Sequence, residues 1–290
     1  MNPALEQAFR RLQIRCRRPV EHLLAGEYRS IFKGRGIEFE ELREYQAGDD
    51  VREIDWRSMA RTGRPHIRRF IEEREQSFLI AVDLSASSSF GSGEKTKREA
   101  VQEIAALLAW SAAFNKDRIG LLLFTDRVER YLPPGRGRNP AQRLINELLE
   151  FQPLGTGTNL SLAIDFISHV SRKRGIVFLI SDFLSKGYEQ SLRMLSRRHD
   201  LTAVLVRDPA EIRLPTGGLI EMRDAESQDH RLIDTTTQGS VQTDPYDRFF
   251  KVCYESDISH FEVNPQADCV ESLSSYFQGR HRKVMNETGG

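Results

Sequence analysis

The segment Phe78-Leu79-Ile80-Ala81-Val82-Asp83-Leu84-Ser85-Ala86-Ser87 decides the fold of this chain. Its unbroken apolar run, closed by small polar residues, reads as a strand buried on both faces of a parallel sheet. Open α/β sheets bind ligands outside the carboxyl ends of their strands. Asp83, Ser85 and Ser87 are therefore delivered to a binding edge. One carboxylate and two hydroxyls are hard oxygen donors, a set suited to Mg²⁺ or Mn²⁺.

Two further segments supply matching donors. Gly155-Thr156-Gly157-Thr158-Asn159 is turn-like and opens a helical pattern (Leu160, Ala163, Ile164, Phe166, Ile167, Val170), which predicts the Thr158 hydroxyl at a helix N-terminus, as its N-cap. Ile176-Val177-Phe178-Leu179-Ile180 reads as a second buried strand and ends in Ser181-Asp182. Alone, Asp-x-Ser-x-Ser at a strand end reads as a helix-capping turn. With Thr158 and Asp182 the five residues resemble the metal-ion-dependent adhesion site of the von Willebrand factor type A domain, whose pattern is matched at every position. The resemblance implies that Ser85, Ser87 and Thr158 ligate a divalent ion through neutral hydroxyls. Asp83 and Asp182 would then act largely through waters or through hydrogen bonds that orient those serines. It also implies an exchangeable position facing solvent, which an acidic residue of a protein partner fills.

The spacing between these segments fits such a fold. Apolar periodicity predicts a helix over 94–114, a buried strand over 119–124 and an edge strand over 127–132 that stops before Pro133-Pro134-Gly135. A helix follows over 141–151, capped by Asn139 with Pro140 at its first position. Beyond Asp182 come a helix (188–198), a strand (201–206), a hairpin-like region (218–236), a helix (245–254), a strand (260–263) and a last helix (268–280). Strands alternating with helices predict an α/β fold built as a doubly wound, mostly parallel sheet.

The N-terminal third has a different texture. It is strongly basic at 10–18, then charged over 34–74, with Arg57, Arg61, Arg64, Arg68 and Arg69 interleaved with Glu72, Glu73 and Glu75 as a solvated face. Gly34-Arg35-Gly36-Ile37-Glu38-Phe39-Glu40-Glu41-Leu42-Arg43-Glu44-Tyr45 and Gly48-Asp49-Asp50-Val51-Arg52-Glu53-Ile54-Asp55-Trp56 lead into the Asp83 strand. This stretch resembles the bacterial family called domain of unknown function fifty-eight, which joins such a segment to a von Willebrand-type fold. The resemblance implies an N-terminal charged extension over 1–75 and a von Willebrand factor type A-like domain over 76–285. It further implies a MoxR-type AAA+ ATPase, or its client, as partner. Phe39, Tyr45, Ile54, Trp56 and Phe70 are expected to pack on the sheet domain, with 67–71 as an edge strand or hairpin arm.

Lys+Arg and Asp+Glu both number 42, so the formal net charge is +0, and no general attraction to nucleic acid or anionic membrane follows. The N-terminus lacks a signal-like segment, and the most apolar helix, 104–114, is far shorter than the roughly 20 residues of a membrane span. Cys16, Cys253 and Cys269 are widely spaced and read as reduced thiols of a cytoplasmic protein. The histidines show no metal-ligand spacing. Gly91-Ser92-Gly93-Glu94-Lys95-Thr96 lacks the glycine spacing of a phosphate loop. No nucleophile elbow and no zinc-protease motif are present, and no base is placed beside Ser85 or Ser87, so the chain reads as a binding adaptor without catalysis. Two other readings stay open: a metal-dependent phosphoester hydrolase, and an interaction scaffold with a vestigial metal site.

Overall fold

The structure, a computed structural model, describes residues 41–46, 49–69, 76–212, 218–223, 225, 230–234 and 245–288, together with Cys16, Val20 and Tyr28. The N-terminal third contributes β1 (Glu41–Glu44), helix α1 (Trp56–Thr62) and β2 (His66–Arg69). β1 and β2 pair antiparallel with Glu44 opposite His66, so the expected hairpin arm forms a small sheet of its own. Asp50 and Asp55 each hold a following N–H with a side-chain oxygen (Arg52, 2.9 Å; Arg57, 3.1 Å), which fixes the turns of this region. Trp56 departs from expectation. It begins α1 at 62% exposure rather than packing on the sheet domain, while Tyr45 and Ile54 are half-buried. Phe39, Gly48, Phe70, Ile71 and the 72–75 acidic run lie outside the described residues.

The remainder follows the predicted alternation. In order come β3 (Ser77–Asp83), α2 (Lys97–Phe114), β4 (Arg118–Phe124), β5 (Val128–Arg136), α3 (Arg138–Glu150), α4 (Leu160–Val170) and β6 (Ile176–Ser181). Then follow α5 (Glu189–Arg198), β7 (Asp200–Val206), the short α6 (Pro209–Ile212), β8 (Leu219–Arg223), β9 (His230–Asp234), α7 (Asp247–Glu255), β10 (Ser259–Val263) and α8 (Cys269–Thr288). Six strands form one sheet in the order β10-β7-β6-β3-β4-β5, parallel except for β5, while β8 and β9 pair as a separate hairpin.

Alternation along β3 sorts the core into two layers. Phe78, Ile80 and Val82 join α2, α3 and α8 on one face; Leu79 and Ala81 join α4, α5 and α7 on the other. Cys16, Val20 and Tyr28 belong to the first layer. The Tyr28 ring stacks on Phe78 at 5.2 Å and its hydroxyl donates to Asp117 Oδ2 at 3.0 Å. Cys16, Cys253 and Cys269 are all buried, with no disulfide among the described residues.

Local chemistry moves several predicted boundaries. Thr96 and Glu99 form a reciprocal capping box, so α2 starts at Lys97 rather than at 94. α3 is entered through Gly137, at φ +90°, rather than capped by Asn139. Asn159, not Thr158, caps α4: its side chain accepts from Leu162 N at 3.0 Å. β5 continues through Pro133 and Pro134 because it is an edge strand with register shifts opposite Gly120. A Cβ on Gly120 would lie 2.8 Å from the Leu132 carbonyl, so the close approach of β5 requires glycine there.

Candidate functional site

From β3 the chain runs through α2 to β4 on one side, and from β5 it returns through α3 and α4, the latter on the opposite face, to β6 on the other side of β3. A crevice opens where this divergence occurs, between the carboxyl ends of β3 and β6. Asp83 closes β3, and Asp182 follows β6 directly.

Past β3 the chain stays attached to β4 for one more residue (Leu84 N to Phe124 O, 2.9 Å) and then turns. Asp83 Oδ1 accepts from Ser85 N at 2.9 Å, and the Ser88 hydroxyl donates to the Ser85 carbonyl at 2.7 Å. These bonds wind one tight turn over Ala86–Ser89 and leave the Ser85 and Ser87 hydroxyls 3.1 Å apart. The Ser87 hydroxyl donates to Asp182 Oδ2 at 2.7 Å, and the Ser181 hydroxyl donates to Asp83 Oδ2 at 2.6 Å. Asp182 owes its aim to a left-handed residue, Phe183 at φ +53°. Its ring is buried 4.5 Å from that of Phe249, which stabilises the unusual backbone.

The Thr158 loop is tied to this cluster through the backbone: Ala86 N donates to Thr156 O at 2.8 Å. Gly155 is pressed against the β4–β5 turn, where a Cβ would lie 2.1 Å from Asp126 Oδ1. Glu129 holds the loop from the same side, accepting from Gly155 N at 2.7 Å and Leu154 N at 3.1 Å. Asp83, Ser85, Ser87 and Asp182 thus form one hydrogen-bonded group, and Thr158 stands half-buried in the loop attached to it.

Sequence reasoning missed the neighbouring cation. Lys97, 2% exposed, places its ammonium 2.8 Å from Asp182 Oδ2 and 2.7 Å from Glu211 Oε1. Burial opposes its charge, but Asp182 and Glu211 outweigh that and raise its pKa. Glu211 is itself fixed within Asp208-Pro209-Ala210-Glu211, a capping box in which Asp208 Oδ1 accepts from Ala210 N and Glu211 Oε2 from Asp208 N. The available signal was Lys97 in the first turn of a helix, where the positive helix end disfavours a lysine lacking an acidic partner. The glycine-rich 91–96 loop also has a structural role. Its Ser92 N–H goes to Asp208 at 3.0 Å, and its Glu94 N–H goes to Gln266 Oε1 at 3.0 Å.

The donor set suits a small divalent ion. Asp83, Ser85, Ser87, Lys97, Ser181 and Asp182 border a cavity of about 10 Å³, room for one water-sized centre. The Asp83 carboxyl is raised to about 7, first by burial and then by the charge of Asp182. No group of three or more His, Cys, Asp or Glu side chains suited to a metal occurs among the described residues, so an ion here would depend on the hydroxyls.

A doubly wound sheet with this carboxylate–hydroxyl cluster at its switch point defines a von Willebrand factor type A-like domain. Residues 41–244 match the family described as "Protein of unknown function DUF58", and the chain belongs to that family. An uncharacterized protein of Mycobacterium tuberculosis is 33% identical over 229 residues, covering 78% of this chain and 72% of that protein. An uncharacterized Mycobacterium bovis protein has the same identity and coverage. Among solved structures, the conserved hypothetical protein BatB from Bacteroides thetaiotaomicron is 13% identical, with a TM-score of 0.48 over 71% of this chain and 98% of that one. The SpRpn10 VWA domain is 13% identical, with a TM-score of 0.43 over 69% of this chain and 93% of its own. No helix among the described residues is long and apolar enough to cross a membrane.

Proposed function

We propose that this protein is a metal-ion-dependent adaptor that binds a protein partner through an acidic side chain. Asp83, Ser85, Ser87, Thr158 and Asp182 hold one Mg²⁺ or Mn²⁺ at the switch point of the sheet. The observation that carries this reading is the 2.7 Å hydrogen bond from Ser87 to Asp182, which joins two loops 95 residues apart into one oxygen-lined cluster. A bound divalent ion supplies an electrophilic centre with an exchangeable position that a carboxylate can enter. Asp83 and Asp182 hold the serine oxygens in place, so the direct donors are mainly neutral and quench little of the charge. The loops around Ser87 and Thr158 form the rim against which a partner is selected.

Family resemblance supports a MoxR-type AAA+ ATPase, or its client, as that partner, with the cytoplasm as the setting and protein remodelling, complex assembly or cofactor insertion as the task. Surface plasmon resonance on a captured MoxR-type ATPase tests the reading with Mg²⁺, with chelator, and with Thr158→Ala. Binding that needs the ion and falls in the variant is the expected result. Equal binding in all three conditions would leave a scaffold with a vestigial site.

A further inference from the structure

We propose that Lys97 is a tethered counter-cation that competes with the divalent ion for Asp182, and that Glu211 is the acceptor that allows it to let go. The inference rests on the metal-site reading above and concerns how that site is controlled.

Two carboxylates, Asp182 and Glu211, meet the buried ammonium of Lys97, and Asp83 joins the group through the Ser181 hydroxyl and Ser85 N–H. With both ionised, they carry one more negative charge than Lys97 neutralises, so a further cation is favoured beside Asp182. Until it arrives, Lys97 and the Ser87 hydroxyl share the same oxygen, Asp182 Oδ2, at 2.8 and 2.7 Å. An ion bound beside that oxygen repels the ammonium, since two cations a few ångströms apart in a buried site interact strongly. Lys97 has a second place to go. Glu211 Oε1 is already 2.7 Å away, and its Oε2 is pinned by Asp208 N at 2.8 Å and the Tyr246 hydroxyl at 3.0 Å. Glu211 cannot follow the ammonium toward Asp182 without breaking the cap of α6 and the bond to Tyr246. Ion binding therefore moves Lys97 from a shared position onto Glu211. Occupancy is thereby reported to the 207–212 segment on the far side of the crevice.

Mn²⁺ titration calorimetry on the full chain, with circular dichroism to confirm folding, tests this with Lys97→Met, Glu211→Gln and the double variant. Glu211→Gln leaves Lys97 with Asp182 as its one anionic partner, so Mn²⁺ affinity should fall roughly 10–100-fold, as for other residues that act through a ligand. Lys97→Met removes the competitor and should tighten binding. The double variant should match Lys97→Met, because Glu211 acts only through the lysine. If Lys97→Met does not fold, Glu211→Gln, which keeps the Lys97–Asp182 pair, decides alone. Wild-type affinity in Glu211→Gln, or a loss that persists in the double variant, overturns the inference and leaves the metal site standing. Mn²⁺ binding that appears only in the two proteins lacking Lys97 supports it. Absence of binding in every protein of the set removes both readings.

Discussion

Ser181 and Asp83 end neighbouring strands, and the serine hydroxyl donates to the aspartate at 2.6 Å inside a site that excludes solvent. Ser181 also accepts from Phe183 N at 3.1 Å, so one hydroxyl serves both the carboxylate and the left-handed turn that aims Asp182. Ser181→Ala strips a partner from a buried acid and a buried N–H. It should cost about 1–3 kcal/mol in thermal or urea unfolding. Unchanged stability would mean that Asp83 finds another donor.

Gly155 should govern the site through shape. A methyl at this position meets Asp126 Oδ1 at 2.1 Å and Thr125 Oγ1 at 2.3 Å, so Gly155→Ala must displace the loop that carries Thr158. The expected cost is about 1–3 kcal/mol, the range for overpacking, with weaker Mn²⁺ binding in calorimetry. Full stability and affinity together would show that the loop tolerates the shift.

The N-terminal segment should matter for stability well beyond its own small sheet. Tyr28 is fully buried between Phe78 and Phe277. Tyr28→Ala should destabilise by about 3–5 kcal/mol, as for other large-to-small aromatic truncations in a core. Removing residues 1–75 should lower the melting temperature further. A fragment from Gln76 onward that melts at the full-length temperature would contradict this.

His199 gives the protein an acid-sensitive element at the opposite end of the sheet. It is buried, accepts from Gly175 N at 3.3 Å through Nδ1, and leaves Nε2 without a partner. Burial, with Arg198 and Arg174 nearby, holds its pKa below the usual histidine value. The unfolded chain takes up this proton near pH 6.5 while the folded chain resists it. Stability is therefore complete above that pH and declines as the pH falls below it. His199→Gln should flatten the slope of melting temperature between pH 7 and pH 5. An identical slope would assign the acid sensitivity to other groups.

The sheet was legible because its central strands are buried on both faces and read as continuous apolar runs. Asp83 and Asp182 were legible because each directly follows such a run. Thr158 was located, yet its capping role passed to Asn159, one residue along, whose side-chain oxygen reaches Leu162 N. Lys97 and Glu211 stayed hidden because they lie 114 positions apart, and their pairing exists only once α2 and α6 are folded beside the crevice. Trp56 was misjudged because an aromatic in a charged stretch suggests a buried anchor, whereas Asp55 caps the helix and turns the indole outward. The core role of Tyr28 left no trace in its basic surroundings.

Pro133 and Pro134 carry a consequence for the company the molecule keeps. They occupy consecutive positions of β5, the outermost strand on one side of the sheet. Neither has an amide hydrogen to offer. A strand arriving from another copy would find its ladder broken midway, so the sheet resists growing into aggregates along that margin.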